Sequence, residues 1–226
     1  MCYPRIMMID FHCHRPDSFS VVCTDRPSGT GAACPSPALV RCEGLLPQLW
    51  TQEKQEILFS RLEVQADLQL GEVGLDRRFR DSVPMEKQAD ILRTMLRFAS
   101  ERGKCVSLHC VQATAVMLDI LREVPFRPYS VLWHGFNGSA ETAAVLSKLK
   151  VIVSAGPRFR GSLKEISGAC PALVPETDYE GADKTGHLEI LSGMYRRFSD
   201  ELGMAPDLLE EHARKHLNAF CPIAGC

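Results

Sequence analysis

Six side chains able to hold a divalent cation stand at or just beyond apolar runs of this chain. They are His12 and His14 after residues 6–11, Glu72 in Gly71-Glu72-Val73-Gly74-Leu75-Asp76, His109 after Val106-Ser107-Leu108, His134 after Val131-Leu132-Trp133, and Asp178 after Pro175-Glu176-Thr177. Imidazole nitrogens and carboxylate oxygens suit zinc, manganese, iron and similar ions, and no thiolate is needed. One residue separates His12 from His14, so in an extended strand both rings project to one side and can reach the same ion. An isolated His-x-His is as well read as a surface pair, and any one strand-end histidine as a hydrogen-bonded core residue. Four histidines and two acids, each where an apolar run stops, form a set that packing alone seldom produces.

Such a set requires strands that end together. Apolar runs near residues 6–11, 19–23, 39–45, 68–73, 105–108, 129–133, 151–154 and 172–174 predict eight strands. Several are uninterrupted, as a parallel strand covered on both faces requires. Segments with helical spacing separate most of the later runs. Met85, Ala89, Leu92, Met95, Leu96 and Ala99 form one stripe after Pro84, and Ala113, Val116, Met117, Ile120 and Leu121 form another. Ser139 is a good N-cap for a third segment carrying Val145, Leu146 and Leu149. Leu188, Leu191, Tyr195, Phe198 and Leu202 make a fourth stripe, and Pro206 opens a last short helix. The alternation predicts an α/β protein of the (β/α)8 TIM-barrel type, whose functional groups belong at the C-terminal strand ends. Few residues separate His14 from Phe19, and residues 25–37 lack helical periodicity, so the first two helices are expected to be reduced or missing.

With 226 residues, 45% hydrophobic and 24% charged, the chain can build one substantial core. No linker divides the periodic segments, so residues 1–226 are read as a single domain with residues 26–37 as a long loop. The net charge of −2 gives no global basic field, which disfavours a protein that coats nucleic acid nonspecifically. A polyanion would need metals or local arginines, for which Arg77, Arg78, Arg158 and Arg160 are candidates; solvated loop charge is the competing reading. No run of about 18 apolar residues and no secretory segment is found, so a cytoplasmic protein without membrane contact is expected. The ten cysteines are expected to be reduced and mostly buried, and no Cys-x2-Cys pair is present. Cys13 and Cys110 adjoin candidate ligands but should face the opposite way, into the packing between strands and helices. His212 and His216 lie four apart on a helix without a His-Glu-x-x-His motif and are read as a solvated face. The oligomeric state stays open, a monomer being compatible with the sequence.

Phe11-His12-Cys13-His14 resembles the opening motif of the TatD-type metal-dependent deoxyribonucleases of the amidohydrolase-like barrels. Gly71-Glu72-Val73-Gly74-Leu75-Asp76 matches that family's Gly-Glu-aliphatic-Gly-Leu-Asp block, His134-Gly135-Phe136-Asn137-Gly138 resembles its His-x-Phe-x-Gly block, and Glu176-Thr177-Asp178 matches its last ligand motif. The resemblance runs from about residue 7 to Asn218-Ala219-Phe220. It implies a hydrolase with two divalent ions (Mg, Mn or Zn): His12, His14 and Asp178 on one, His109 and His134 on the other, and Glu72 bridging. Two such ions can bind a phosphodiester oxygen, acidify a water and stabilise the entering and leaving oxygens. Asp178 or Glu72 would accept the water's proton, and Asp76 would orient a ligand histidine. The implied substrate is DNA, at ends or in short single strands. The chain departs from the family pattern at Gly44-Leu45-Leu46-Pro47, where Leu46 replaces a histidine, at Val111, where an arginine is usual, and at Tyr179-Glu180, where a small residue and a proline are usual. These changes leave two alternatives: a hydrolase of a small amide, ester or phosphoester, and a degenerate barrel that binds without catalysing.

Overall fold

The structure, a computed structural model, describes residues 8–15, 19–24 and 38–222. Eight strands form one sheet in chain order: β1 (Asp10–Cys13), β2 (Ser20–Thr24), β3 (Val40–Glu43), β4 (Leu68–Asp76), β5 (Val106–Val111), β6 (Val131–Trp133), β7 (Ile152–Ala155) and β8 (Leu173–Pro175). Every neighbouring pair is parallel. The sheet curls into a barrel, and the segment after β8 meets β1: Asp178 N donates to His12 O and His14 N donates to Tyr179 O, both at 2.9 Å. Helices α1 (Gln52–Val64), α2 (Met85–Glu101), α3 (Thr114–Glu123), α4 (Ala140–Lys148) and α5 (Leu163–Ala169) each follow one of the strands β3 to β7. Two helices, α6 (Lys184–Leu202) and α7 (Pro206–Phe220), follow β8. The connections after β1 and β2 contain no helix among the described residues; the loop expected at residues 26–37 lies outside them.

The strands form where expected because their residues are covered on both faces; β4 is buried at all nine positions. On α2 the stripe Ala89, Leu92, Met95, Leu96 and Ala99 is buried against the barrel, each fully buried leucine contributing about 1.5–3 kcal/mol. Ser139 Oγ accepts from Thr142 N at 3.3 Å, the cap read from the sequence. Three features differ from expectation. Helix α1 was not foreseen because only Gln55, Leu58 and Leu62 are buried on it, too narrow a stripe to stand out; the seven-residue α5 is too short to show a period. Helix α7 is long, with Leu209, Ala213, Leu217 and Phe220 buried. For the same reason His212 and His216 are not a solvated face. His216 is buried, and His212 Nε2 donates to Leu173 O at 2.9 Å near the N-terminal end of β8. The seven described cysteines are free thiols, six buried and Cys110 half-buried; Cys2, Cys34 and Cys226 lie outside the described residues. None of the helices among the described residues is long and apolar enough to cross a membrane.

Candidate metal centre

The six candidate residues meet at the C-terminal end of the barrel in two overlapping groups. His12, His14 and Asp178 offer ligand atoms within 4.8 Å of one another, and so do His12, Glu72 and His134. In the first group His14 Nδ1 lies 3.2 Å from Cys23 O. A carbonyl only accepts, so Nδ1 carries the proton and the neutral ring turns its Nε2 lone pair toward Asp178 Oδ1, 3.4 Å away. Two acceptors then face each other, and only a proton or a metal cation between them makes the approach favourable. His12 Nδ1 contacts Ser107 Oγ at 3.2 Å, while its Nε2 is buried without a hydrogen-bond partner, 3.7 Å from Asp178 Oδ1. Burial, and next to it the charge of His134, hold His12 well below the ordinary histidine range, which keeps it a neutral donor of a lone pair.

The second group centres on Glu72. Its Oε1 lies 2.7 Å from His109 Nδ1 and in still closer contact with His134 Nε2. Burial opposes ionisation of Glu72, but His134, His109 and His12 outweigh it and hold the carboxyl well below the usual range. Burial likewise opposes protonation of His134, yet Glu72 pushes it up to about 9. The ring of His134 stacks on that of His12 with centroids 3.7 Å apart, and its buried Nδ1 has no hydrogen-bond partner. His109 touches a second carboxylate as well, Asp76 Oδ2 at 3.2 Å from Nε2. A neutral imidazole has one N–H for these two carboxylates, so the excess of acceptors recurs here.

An excess of acceptors together with orphaned, buried imidazole nitrogens is what a cation site looks like without its cation, since a buried polar atom left unpaired costs about 1–3 kcal/mol. The all-nitrogen-and-oxygen donor set fits a divalent ion of the zinc, manganese or magnesium kind. His109 stands outside both compact groups, linked to them through Glu72.

The supporting shell was only partly legible. Asp76 contacts His109, as expected, and is fixed by Arg78, whose Nε lies 2.9 Å from Oδ1, and by Gln88 on α2, whose Oε1 accepts from Asp76 N at 2.8 Å. Burial opposes ionisation of Asp76, and Arg78 and His109 overcome it. Asp10 was missed. It accepts from Thr177 N at 2.9 Å, Thr177 Oγ1 at 2.5 Å and His12 N at 3.2 Å, and contacts His187 Nε2 at 2.6 Å, tying the first ligand strand to the last. A charge inside an apolar strand run was the available signal. Glu176 was also missed; it accepts from Gly135 N at 2.8 Å and Ser154 Oγ at 2.6 Å, and burial pushes it up to about 7. Gly74 admits no side chain, since a Cβ there would strike the His109 carbonyl. Asp178 adopts φ 53°, a left-handed conformation that aspartate tolerates better than most residues.

A cavity of about 790 Å³ opens beside the site and is lined in part by Val111, Gln112, Arg158, Asp178 and Tyr179. Of the four candidate arginines only Arg158 borders it, with Nη1 3.1 Å from Asp178 Oδ2. Arg78 is committed to Asp76 and Arg160 Nη1 donates to Pro157 O at 2.8 Å, while Arg77 is exposed in a short turn after β4. Cys110, expected within the strand–helix packing, touches the core and also borders the cavity. Leu46, where a histidine would stand in the resemblance, is buried and offers no ligand.

A family model described as TatD related DNase matches residues 35–214. The chain belongs to this family of metal-dependent hydrolases. Over 87 residues, 38% of the chain, it is 31% identical to the uncharacterized metal-dependent hydrolase YabD of Bacillus subtilis (strain 168), a stretch covering 34% of that protein. Over 115 residues, 51% of the chain, it is 24% identical to the human 3'-5' RNA nuclease TATDN2, covering 15% of that protein. The matched stretches therefore span about a third or less of these curated relatives. Among solved structures, the TatD homologue YJJV of Escherichia coli K12 has a TM-score of 0.79 at 20% identity, covering 95% of this chain and 98% of that one. An uncharacterized amidohydrolase from Saccharomyces cerevisiae has a TM-score of 0.69 at 15% identity, covering 89% and 88%. This TatD-family chain shares the barrel fold of both.

Proposed function

We propose that the protein is a metal-dependent phosphodiesterase of nucleic acid, a deoxyribonuclease acting on ends or short single strands of DNA. The observation that carries the metal part is the surplus of acceptors around His12, His14, His109 and His134, each ring directed at a carboxylate at the barrel mouth. The nucleic-acid part is supported by the family and by the human relative's description as an RNA nuclease. In this reading His12, His14 and Asp178 hold one divalent ion, His109 and His134 a second, and Glu72 bridges them. Divalent cations bound there would supply charge to a phosphodiester oxygen and acidify a water.

The chain's own groups divide the remaining work. Glu72 is buried between two histidines and has no room to reach a substrate, so bridging suits it better than proton transfer. Asp178 is half-buried and borders the cavity; burial opposes its ionisation, but His14, His12 and Arg158 outweigh this and keep it a carboxylate, ready to accept the water's proton. Asp76 holds His109 by its Nε2, which leaves Nδ1 directed at Glu72. Arg158, mostly exposed beside Asp178, can turn to a phosphate oxygen.

The test is turnover of a single-stranded DNA oligonucleotide with Mg, Mn or Zn, run beside an RNA of the same sequence and a small phosphodiester, with His109→Ala as control. Cleavage of DNA that is lost in the variant is expected. Turnover of the small ester with no cleavage of either strand under any metal would sink the nuclease reading and leave a small-molecule hydrolase.

A further inference from the structure

Tyr179 follows the candidate base Asp178 directly, at a position where the family pattern has a small residue. Its ring is held before any ligand arrives. The ring stacks on His187 with centroids 4.9 Å apart and planes within 10°, and the hydroxyl donates to Asp183 O at 2.9 Å. His187 is itself buried, in contact with Asp10 Oδ2 at 2.6 Å and with the ring of Phe19. The backbone is fixed too: Tyr179 N donates to Thr177 Oγ1 at 3.2 Å, and its carbonyl accepts from His14 N. Tyr179 is half-buried and borders the cavity beside Asp178.

The charge around that cavity bears on what it can hold. Among the described residues lining it, Arg158 is the single cation, against Glu176, Asp178 and Glu180. A phosphate chain threaded there would find little attraction beyond any metal ions, so affinity must come from another source. An aromatic ring with one face already backed and its rotamer fixed supplies it, because stacking costs such a ring little entropy.

We propose that the uncovered face of Tyr179 is the stacking platform for the nucleobase beside the scissile phosphodiester, which makes the substrate an unpaired strand or frayed end. A base within a closed duplex is sandwiched by its neighbours and cannot offer its face to the ring. The inference rests on the nuclease reading above.

The experiment uses the metal-loaded full chain and a single-stranded oligonucleotide carrying 2-aminopurine at its terminal base, with a phosphorothioate terminal linkage to slow cleavage. Stacking on Tyr179 predicts quenching of 2-aminopurine on binding to the wild type, a readout that needs neither turnover nor a variant. Tyr179→Trp and Tyr179→Phe retain it. Tyr179→Leu, which keeps apolar contact with His187, loses the quenching and binds about tenfold more weakly. On a cleavable strand the same variant raises KM about tenfold and changes kcat less than about twofold. Binding and quenching by Tyr179→Leu equal to wild type would overturn the platform and leave the nuclease reading standing. A fall in kcat with unchanged binding would also overturn it, since Tyr179 would then act on the site and not on the base. A wild type that neither binds nor cleaves any strand overturns the nuclease reading and the platform with it.

Discussion

The two ends of the barrel each carry clustered histidines, and their surroundings make them different chemical objects. At the mouth, His12, His14, His109 and His134 each face a carboxylate, and His134 is pushed up to about 9 by Glu72 against the effect of burial. At the base, His212 and His216 pack edge to face with centroids 4.5 Å apart, and His212 bonds a backbone carbonyl. Burial, followed by the charge of His212 and Lys215, lowers His216 to about 4. Both sets are largely buried. What separates a candidate ligand from a packing residue is the negative charge gathered around it.

The contrast is broken most severely by removing that charge. Glu72→Gln is expected to lower activity by at least about a thousandfold and to leave fewer than one metal per chain, read by elemental analysis after reconstitution. Retention of two ions by this variant would refute the bridging role. Asp178→Asn should cost about a hundredfold or more in kcat while lowering the metal content by no more than one ion, because Glu72 and its histidines are untouched. Asp76→Asn frees His109 Nε2 without touching the central group. Its expected effect is about a ten- to hundredfold loss of metal affinity, measured by calorimetry.

At the base, His212→Gln should leave metal content unchanged, and a drop would mean that these histidines bind an ion. His216 contributes to stability with a definite sign. Its folded pKa lies below the unfolded value, so between about 6.5 and about 4 the unfolded chain binds the extra proton; stability falls as pH drops through that window and levels below it. His216→Gln removes this loss. Its acid limb in urea unfolding should be flatter than that of the wild type by up to about 2 kcal/mol.

The mouth was legible because strand-end residues of ligand type are rare in apolar runs, and each of the six lies where its run stops. Asp76 could be tied to a histidine from the same block. Asp10, Gln88, Ser107 and His187 could not, since their partners are far away in sequence: 177 residues separate Asp10 from His187. The four arginines illustrate the converse. All follow strand ends in sequence, yet Arg78 is drawn to Asp76 and Arg160 to Pro157 O, and only Arg158 reaches the cavity. His212 and His216 mislead for a related reason. A helix face with two histidines and several charges looks solvated until the helix is packed, and here α7 lies against β8.

The chain's own residues, through apolar runs that must be covered on both faces and acids and imidazoles placed at their ends, determined the barrel and its six candidate ligands. Strand period and C-terminal placement are local properties that survive without coordinates. Only the tertiary structure decided which acceptors face each other, which arginine is free to turn to a substrate, and that Tyr179 is held flat against His187 beside the cavity. Those depend on distances between elements far apart in sequence, which closure of the barrel sets and no single segment encodes.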